Sequence, residues 1–178
     1  MIKTVIEGRI WAGSLHLYNS GYLVGEWFDI DSDTCPIELQ EQIEGYIKEH
    51  LPKGESYEEA IDKLFCFDHE LPCMKGQTSP SGAIKHLEQL AEALDDCGYD
   101  LETYEALVKA GCNPTDYDVT ITPIGSLGLG PDWSELADQL GDYEQAGTYA
   151  SYVNWERFYN DNWSAELIND TWYAIACN

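Results

Sequence analysis

Three groups of side chains have the types and spacing to do chemistry. Asp29-x-Asp31-x-Asp33 resembles the opening of a calcium loop, in which alternate carboxylates converge on one cation. Such a loop wants glycine at its sixth position and a bidentate glutamate at its twelfth. Thr34 and Gln40 stand there instead, so an acidic strand end leading into a helix at Pro36 is the plainer reading. Asp68-His69-Glu70 is a dense acid–histidine cluster. General acid–base work also needs a nucleophile or a metal nearby, and no partner motif accompanies it. Six cysteines (Cys35, Cys66, Cys73, Cys97, Cys112, Cys177) and four histidines (His16, His50, His69, His86) form no C-x-x-C pair and no zinc-finger spacing. Catalysis, a metal site and a cofactor are therefore not expected.

What remains is charge. The chain carries 33 Asp plus Glu against 9 Lys plus Arg, a formal net charge of -24 over 178 residues. The acids are spread through a sequence that is 44% hydrophobic and 12% aromatic, which a disordered acidic tail is not. Glu88, Glu92 and Asp95 recur at i, i+4 and i+7, opposite an apolar stripe, and Glu92, Asp95 and their neighbours lack compensating bases. A solvated helix face is the commonest reason for such a row, yet like charges at that spacing slightly destabilise a helix. Together with Asp96, Asp100, Glu102, Asp132, Glu135, Asp138, Asp142, Glu144, Glu156 and Asp161, and with Asp29, Asp31 and Asp33 at the start, they are the carboxylates expected to face a partner.

A folded protein so far from neutrality repels itself, so the coat suggests a use. Duplex DNA carries one negative charge per roughly 1.7 Å of axis, and at that density the net charge corresponds to about 40 Å of duplex, about a dozen base pairs. Direct binding to nucleic acid is excluded by sign; occupying a protein that binds nucleic acid is not. Residues 1–85 hold 15 acids and 7 bases, whereas residues 86–178 hold 18 acids with only Lys109 and Arg157. An ordinary acidic domain, or one adapted to high salt, explains the same composition. An acidic chaperone of basic DNA-binding proteins is a further class: it would bind many basic proteins alike, where a specific mimic forms one stoichiometric complex. A small hydrolase lacks its constellation.

The elements that must position these groups follow from local signals. Ile10, Ala12, Ser14 and Leu15–Leu17 read as a strand, Asn19-Ser20-Gly21 as a turn, and Tyr22, Val24 and Trp27–Ile30 as the second strand of an antiparallel hairpin. Pro36 opens a helix with Ile37, Ile43, Ile47 and Leu51 on one face, ended by Pro52-Lys53-Gly54. Leu64, Phe65 and Phe67 mark a third strand. After the turn-rich stretch 76–82, the spacing of Ile84, Leu87, Leu90, Ala91 and Leu94 predicts a helix stopped at Gly98, and Asp100 caps another that stops at Gly111. Tyr117, Val119 and Ile121 alternate in a strand or extended link, and Gly125–Pro131 is hinge-like. Asp132 with Glu135 forms a capping box, Asn154 caps a further helix, and Asn169-Asp170 turns a final hairpin. The expected fold class is α+β, as an elongated series of three modules: 1–75 (α+β), 76–112 (helical) and 113–178 (α+β). Lys3, Glu7 and Arg9 break any signal-peptide run, and no stretch approaches a membrane span. A reducing, cytoplasmic setting with free, buried cysteines is the expectation.

The run Ile10-Trp11-Ala12-Gly13-Ser14-Leu15-His16-Leu17-Tyr18-Asn19-Ser20-Gly21-Tyr22-Leu23-Val24-Gly25-Glu26-Trp27-Phe28-Asp29 resembles the opening of ArdA antirestriction proteins, with its strand, Tyr-Asn-x-Gly turn and Gly-x-Trp strand. Asp68-His69-Glu70-Leu71-Pro72, and the block from Tyr152 to Asp161 containing Trp155, Phe158 and Tyr159, are similar to later family blocks in the same order. The stretch 113–131, with Thr-Ile-Thr-Pro and three glycines, departs from the family pattern where a recognised antirestriction motif and dimer contact would lie. The resemblance implies a DNA mimic of plasmid, transposon or phage origin that acts in a bacterial host. Its implied partner is the methyltransferase core of a type I restriction-modification enzyme, whose DNA groove it occupies. It further implies a homodimer through the C-terminal region, for which Tyr149, Tyr152, Trp155 and Tyr159 supply aromatic area. An anti-CRISPR or other counter-defence inhibitor on the same scaffold is the alternative.

Overall fold

The computed structural model describes residues 4–114, 119–126 and 129–177, and within it the chain divides into two compact units, Met1–Asp96 and Cys97–Asn178. The segment expected as a helical middle is shared between them. The helix Pro80–Cys97 falls, but for its last residue, in the first unit, and Leu101–Lys109 falls in the second.

In the first unit, β1 (Glu7–Ser14) alternates as a half-buried strand must, with Ile10 and Ala12 fully buried. It does not continue through Leu17. The buried Ser14 hydroxyl accepts from Leu17 N–H and starts a short helix, α1 (Leu15–Asn19), because that cap satisfies a donor the strand end would leave unpaired. Gly21, at φ 89°, then returns the chain to β2 (Gly25–Asp31), which pairs antiparallel with β1, Trp11 opposite Trp27 and Arg9 opposite Asp29. The two strands pair antiparallel as expected, but α1 takes up Leu15–Asn19 of the connection, and Tyr22 and Val24 lie before β2 rather than in it. Helix α2 (Pro36–Glu49) packs on β1 and β2 through Leu39, Ile43 and Ile47, spaced i, i+4, i+8. Ile37, expected on that face, is 69% exposed, since it lies a half-turn away from Leu39. Ser56 caps α3 (Tyr57–Asp62), which no apolar period announces. Strand β3 (Leu64–Glu70) pairs with the other edge of β1, completing the order β2-β1-β3. Helix α4 (Pro80–Cys97) buries Ala83, Ile84, Leu87, Leu90, Ala91 and Leu94, and Gly98 follows it at φ 74°.

The backbone of β1 comes so close to the β2 entry that a Cβ on Gly13 would stand 2.2 Å from Val24 O and 2.8 Å from Gly25 Cα. Neither atom belongs to a side chain that can turn away. Gly13→Ala is expected to destabilise the first unit by about 2 kcal/mol or more. Denaturant unfolding followed at Trp11 and Trp27 measures it; an unchanged midpoint would show that the strands separate at no cost.

In the second unit, α5 (Leu101–Lys109) starts at Asp100, whose carboxylate accepts from Thr103 N–H. Strand β4 (Val119–Ser126) carries a register shift between Pro123 and Gly125, and it lies at a sheet edge, where a proline is tolerated. Tyr117, expected in the same strand, and Gly128 lie outside the described residues. Asp132 caps α6 (Trp133–Gln139) by accepting from Ser134 N–H and Ser134 Oγ. Its own N–H donates to Ile124 O rather than taking part in a reciprocal box with Glu135. Short helices α7 (Asp142–Ala146) and α8 (Trp155–Tyr159) flank a 3-10 turn at Gly147–Tyr152, and Asn154 caps α8 as expected. Strands β5 (Ser164–Ile168) and β6 (Thr171–Cys177) form the final hairpin, with Asn169 and Asp170 both at positive φ, as a two-residue primed turn requires. The order is β4-β6-β5.

Strand β6 explains its own unbroken apolar run. Trp172 and Ala174 face a core of Ile124, Leu136, Ala137, Ala150, Trp155 and Tyr159, while Tyr173 and Ile175 face a second core of Ala106, Leu107, Cys112 and Ile168. Both faces of the strand are covered, so no polar residue alternates. Cys112 and Cys177 are joined in a disulfide that fastens the end of α5 to the end of β6. The expectation of free cysteines fails for this pair, because 65 residues separate two thiols that only the folded sheet brings together. Cys35 and Cys66 are free, and burial pushes the Cys66 thiol up to about 11.

Candidate functional site

Of the sixteen carboxylates expected to face a partner, fourteen are exposed; Asp31 and Asp142 are half-buried. On α4, Glu88, Glu92, Asp95 and Asp96 all point away from the buried stripe of Leu87, Leu90, Ala91 and Leu94. Asp95 accepts from Thr4 Oγ1, which ties the N-terminal segment to this helix. Among the described residues, no Lys or Arg forms an ion pair with these four acids. The helix is held by its apolar stripe and bears an anionic edge whose like charges cost it a few tenths of a kcal/mol per adjacent pair.

Other expected carboxylates also have structural duties. Asp100 and Asp132 are helix caps, and the Ser134 hydroxyl holds the Asp132 carboxyl below its usual range. Glu102 accepts from Asn169 N–H at 2.6 Å, linking α5 to the β5–β6 turn. Asp142 accepts from the Tyr159 hydroxyl at 2.6 Å, and burial together with that bond raises the Tyr159 phenol. Asp31 accepts from Asp33 N–H and from the Thr34 hydroxyl, which turns the chain toward α2. Asp29, Asp33, Glu135, Asp138, Glu144, Glu156 and Asp161 are exposed.

Asp68, His69 and Glu70 do not converge. Strand alternation puts Asp68 opposite Trp11 and Glu70 opposite Arg9, on the outer face of the first sheet. His69 is opposite Ile10 on the inner face, where its Nε2 meets Gly76 O at 2.8 Å. Among the described residues no three His, Cys, Asp or Glu side chains gather closely enough to hold a metal. No helix among them is long and apolar enough to cross a membrane.

The outer sheet face holds a group that local spacing could not reveal. Arg9 donates from Nε and Nη2 to the two oxygens of Glu70, at 2.6 and 2.9 Å, and its guanidinium lies 4.9 Å from the centre of the Trp27 ring. That pairing holds the Glu70 carboxyl below its usual range and raises Arg9. The partners are 61 residues apart and are brought together by the pairing of β1 with β3.

The aromatic residues expected at a dimer contact divide. Tyr149 and Tyr152 are 74% and 85% exposed, whereas Trp155 and Tyr159 lie in the core of the second unit, stacked on one another and on Tyr143 and Trp133. Phe158, not singled out for the contact from the sequence, is 59% exposed beside them.

The family described as antirestriction protein (ArdA) matches residues 10–174, a span that includes all three sequence blocks described above. No curated protein and no solved structure matches the chain.

Proposed function

Because the chain belongs to the ArdA family of antirestriction proteins, we propose that it works as an acidic imitation of DNA. It occupies the DNA groove of a type I restriction-modification enzyme, at the methyltransferase core, in the cytoplasm of a bacterial host. The observation that carries this reading is the row Glu88, Glu92, Asp95 and Asp96, exposed on a helix whose other face supplies the stability and without an ion-paired Lys or Arg among the described residues. Carboxylates so placed stand where phosphates would, facing Lys and Arg that serve to bind DNA. No bond is made or broken. Inhibition is competition, and it follows the law of mass action. Expressed in cells carrying a type I system, the protein is expected to raise the survival of unmodified incoming DNA toward that of modified DNA. Unchanged restriction in several such hosts would reject the reading.

The same reading includes a homodimer through the second unit. Tyr149, Tyr152 and Phe158 offer exposed aromatic area there, the kind of surface a two-fold contact buries. Residues 86–178 carry only two bases against 18 acids, so repulsion opposes the pairing. Salt screens exposed charges within about 10 Å at 0.1 M. The dimer is therefore expected to tighten as salt rises, while the complex with the restriction enzyme weakens. Sedimentation at low and high salt checks this; a monomer at both, at micromolar concentration, would remove the dimer.

A further inference from the structure

Two hollows lie side by side on the outer face of the first sheet. The acidic one, about 550 Å³, is lined by Glu7, Arg9, Asp29, Asp31 and Glu70 among others. The aromatic one, about 640 Å³, is lined by Trp11, Tyr18, Leu23, Trp27, Phe67 and Asp68 among others. In the first hollow the protein binds a guanidinium of its own: Arg9 is forked onto Glu70 and lies against the Trp27 ring. The second repeats those parts. Phe67 meets Trp11 at 5.3 Å and Tyr18 at 4.8 Å between ring centres, and Asp68 stands opposite Trp11 on β3. Among the described residues no Lys or Arg forms an ion pair with Asp68. Tyr18 and Leu23 are 52% and 71% exposed, so the hollow opens to solvent.

We infer that the aromatic hollow receives an arginine side chain from the partner protein, its guanidinium against the Trp11 and Phe67 rings and paired with Asp68. Charge complementarity selects the occupant. A chain of net charge -24 repels phosphates, which excludes a nucleic-acid base stacked there with its backbone nearby, and it attracts cations. Between cations, a planar guanidinium both stacks on an aromatic ring and pairs with a carboxylate in a fork, which a lysine ammonium does not. The inference rests on the reading of the chain as an occupant of a cationic DNA-binding surface. It adds a contact that is not charge alone and that therefore persists at salt concentrations where the α4 carboxylates are screened.

The test uses the full-length protein, labelled at its tryptophan indoles, titrated with the tripeptide acetyl-Gly-Arg-Gly-amide and with its lysine counterpart. The arginine peptide is expected to move the Trp11 indole resonance well beyond those of Trp133 and Trp172 in the second unit. Asp68→Asn, at an exposed position, is expected to weaken that binding roughly five-fold while leaving the other five indole resonances in place. Tyr18→Ala, also exposed, should weaken it without Asp68 being touched. The inference is overturned if Trp11 moves no more than Trp133 and Trp172, if the lysine peptide moves it equally, or if both variants bind as the parent does. No restriction enzyme is present, so a negative result here leaves the antirestriction reading standing, and the failure of that reading leaves the titration interpretable.

Discussion

Glu88→Lys, Glu92→Lys, Asp95→Lys and Asp96→Lys, made together, are expected to weaken the complex with a type I methyltransferase roughly 100-fold at low salt. The estimate follows from the way DNA itself is held. Each neutralised phosphate contributes close to one unit to the slope of log affinity against log salt, and four such contacts carry a factor of this order. The slope is expected to fall by about four units. Any one of the four reversals alone should change affinity only a few-fold, because the charge is distributed. The helix itself should survive. Its buried stripe is untouched, and cations near its C-terminal end favour the helix dipole, against the loss of the Thr4 contact at Asp95. Circular dichroism of the variant separates lost binding from lost folding. A quadruple variant that is folded and still binds as the parent does would place the contact elsewhere.

The second large effect is on stability. The Cys112–Cys177 disulfide closes a loop of sequence separation 65 with Cα atoms 5.6 Å apart, and the chain-entropy relation gives about 4 kcal/mol for a loop of that size. Reduction, or Cys177→Ser, is expected to lower the stability of the second unit by about that amount and to leave the first unit's transition in place. Cys177 is the better position to change, since Cys112 belongs to the core formed with Leu107, Ile168 and Ile175. Unfolding followed at Trp133, Trp155, Trp163 and Trp172 reports the second unit alone. Six titratable thiols in the unreduced, denatured protein, or a transition indifferent to reductant, would contradict the pairing.

What could be read from the sequence was local. Gly21 and Asn169-Asp170 turn the hairpins, Asp100 and Asn154 cap their helices, and the stripe Ile84, Leu87, Leu90, Ala91 and Leu94 fixes which way the α4 acids point. Each of these depends on residues within a turn or two of one another. What could not be read depends on register. A buried serine turned the end of β1 into a helix. Arg9 found Glu70, and Cys112 found Cys177, across more than sixty residues. The aromatic hollow exists because β3 pairs with the far edge of β1 through a shift at Trp11 and Ala12, which no spacing within β3 specifies. Trp155 and Tyr159 show the converse: aromatic residues on a short helix look alike whether they serve a core or a surface, and neighbours from β4, α6 and β6 decide between the two.

The proposed competition between this anionic surface and DNA for one groove can be measured directly. The direct measurement is displacement of a labelled, unmodified duplex from purified type I methyltransferase cores by increasing amounts of the intact protein, at several salt concentrations. Complete displacement at a fixed stoichiometry is expected, with an affinity that falls steeply as salt rises. Duplex that stays bound in the presence of excess protein, across several type I cores, would contradict it.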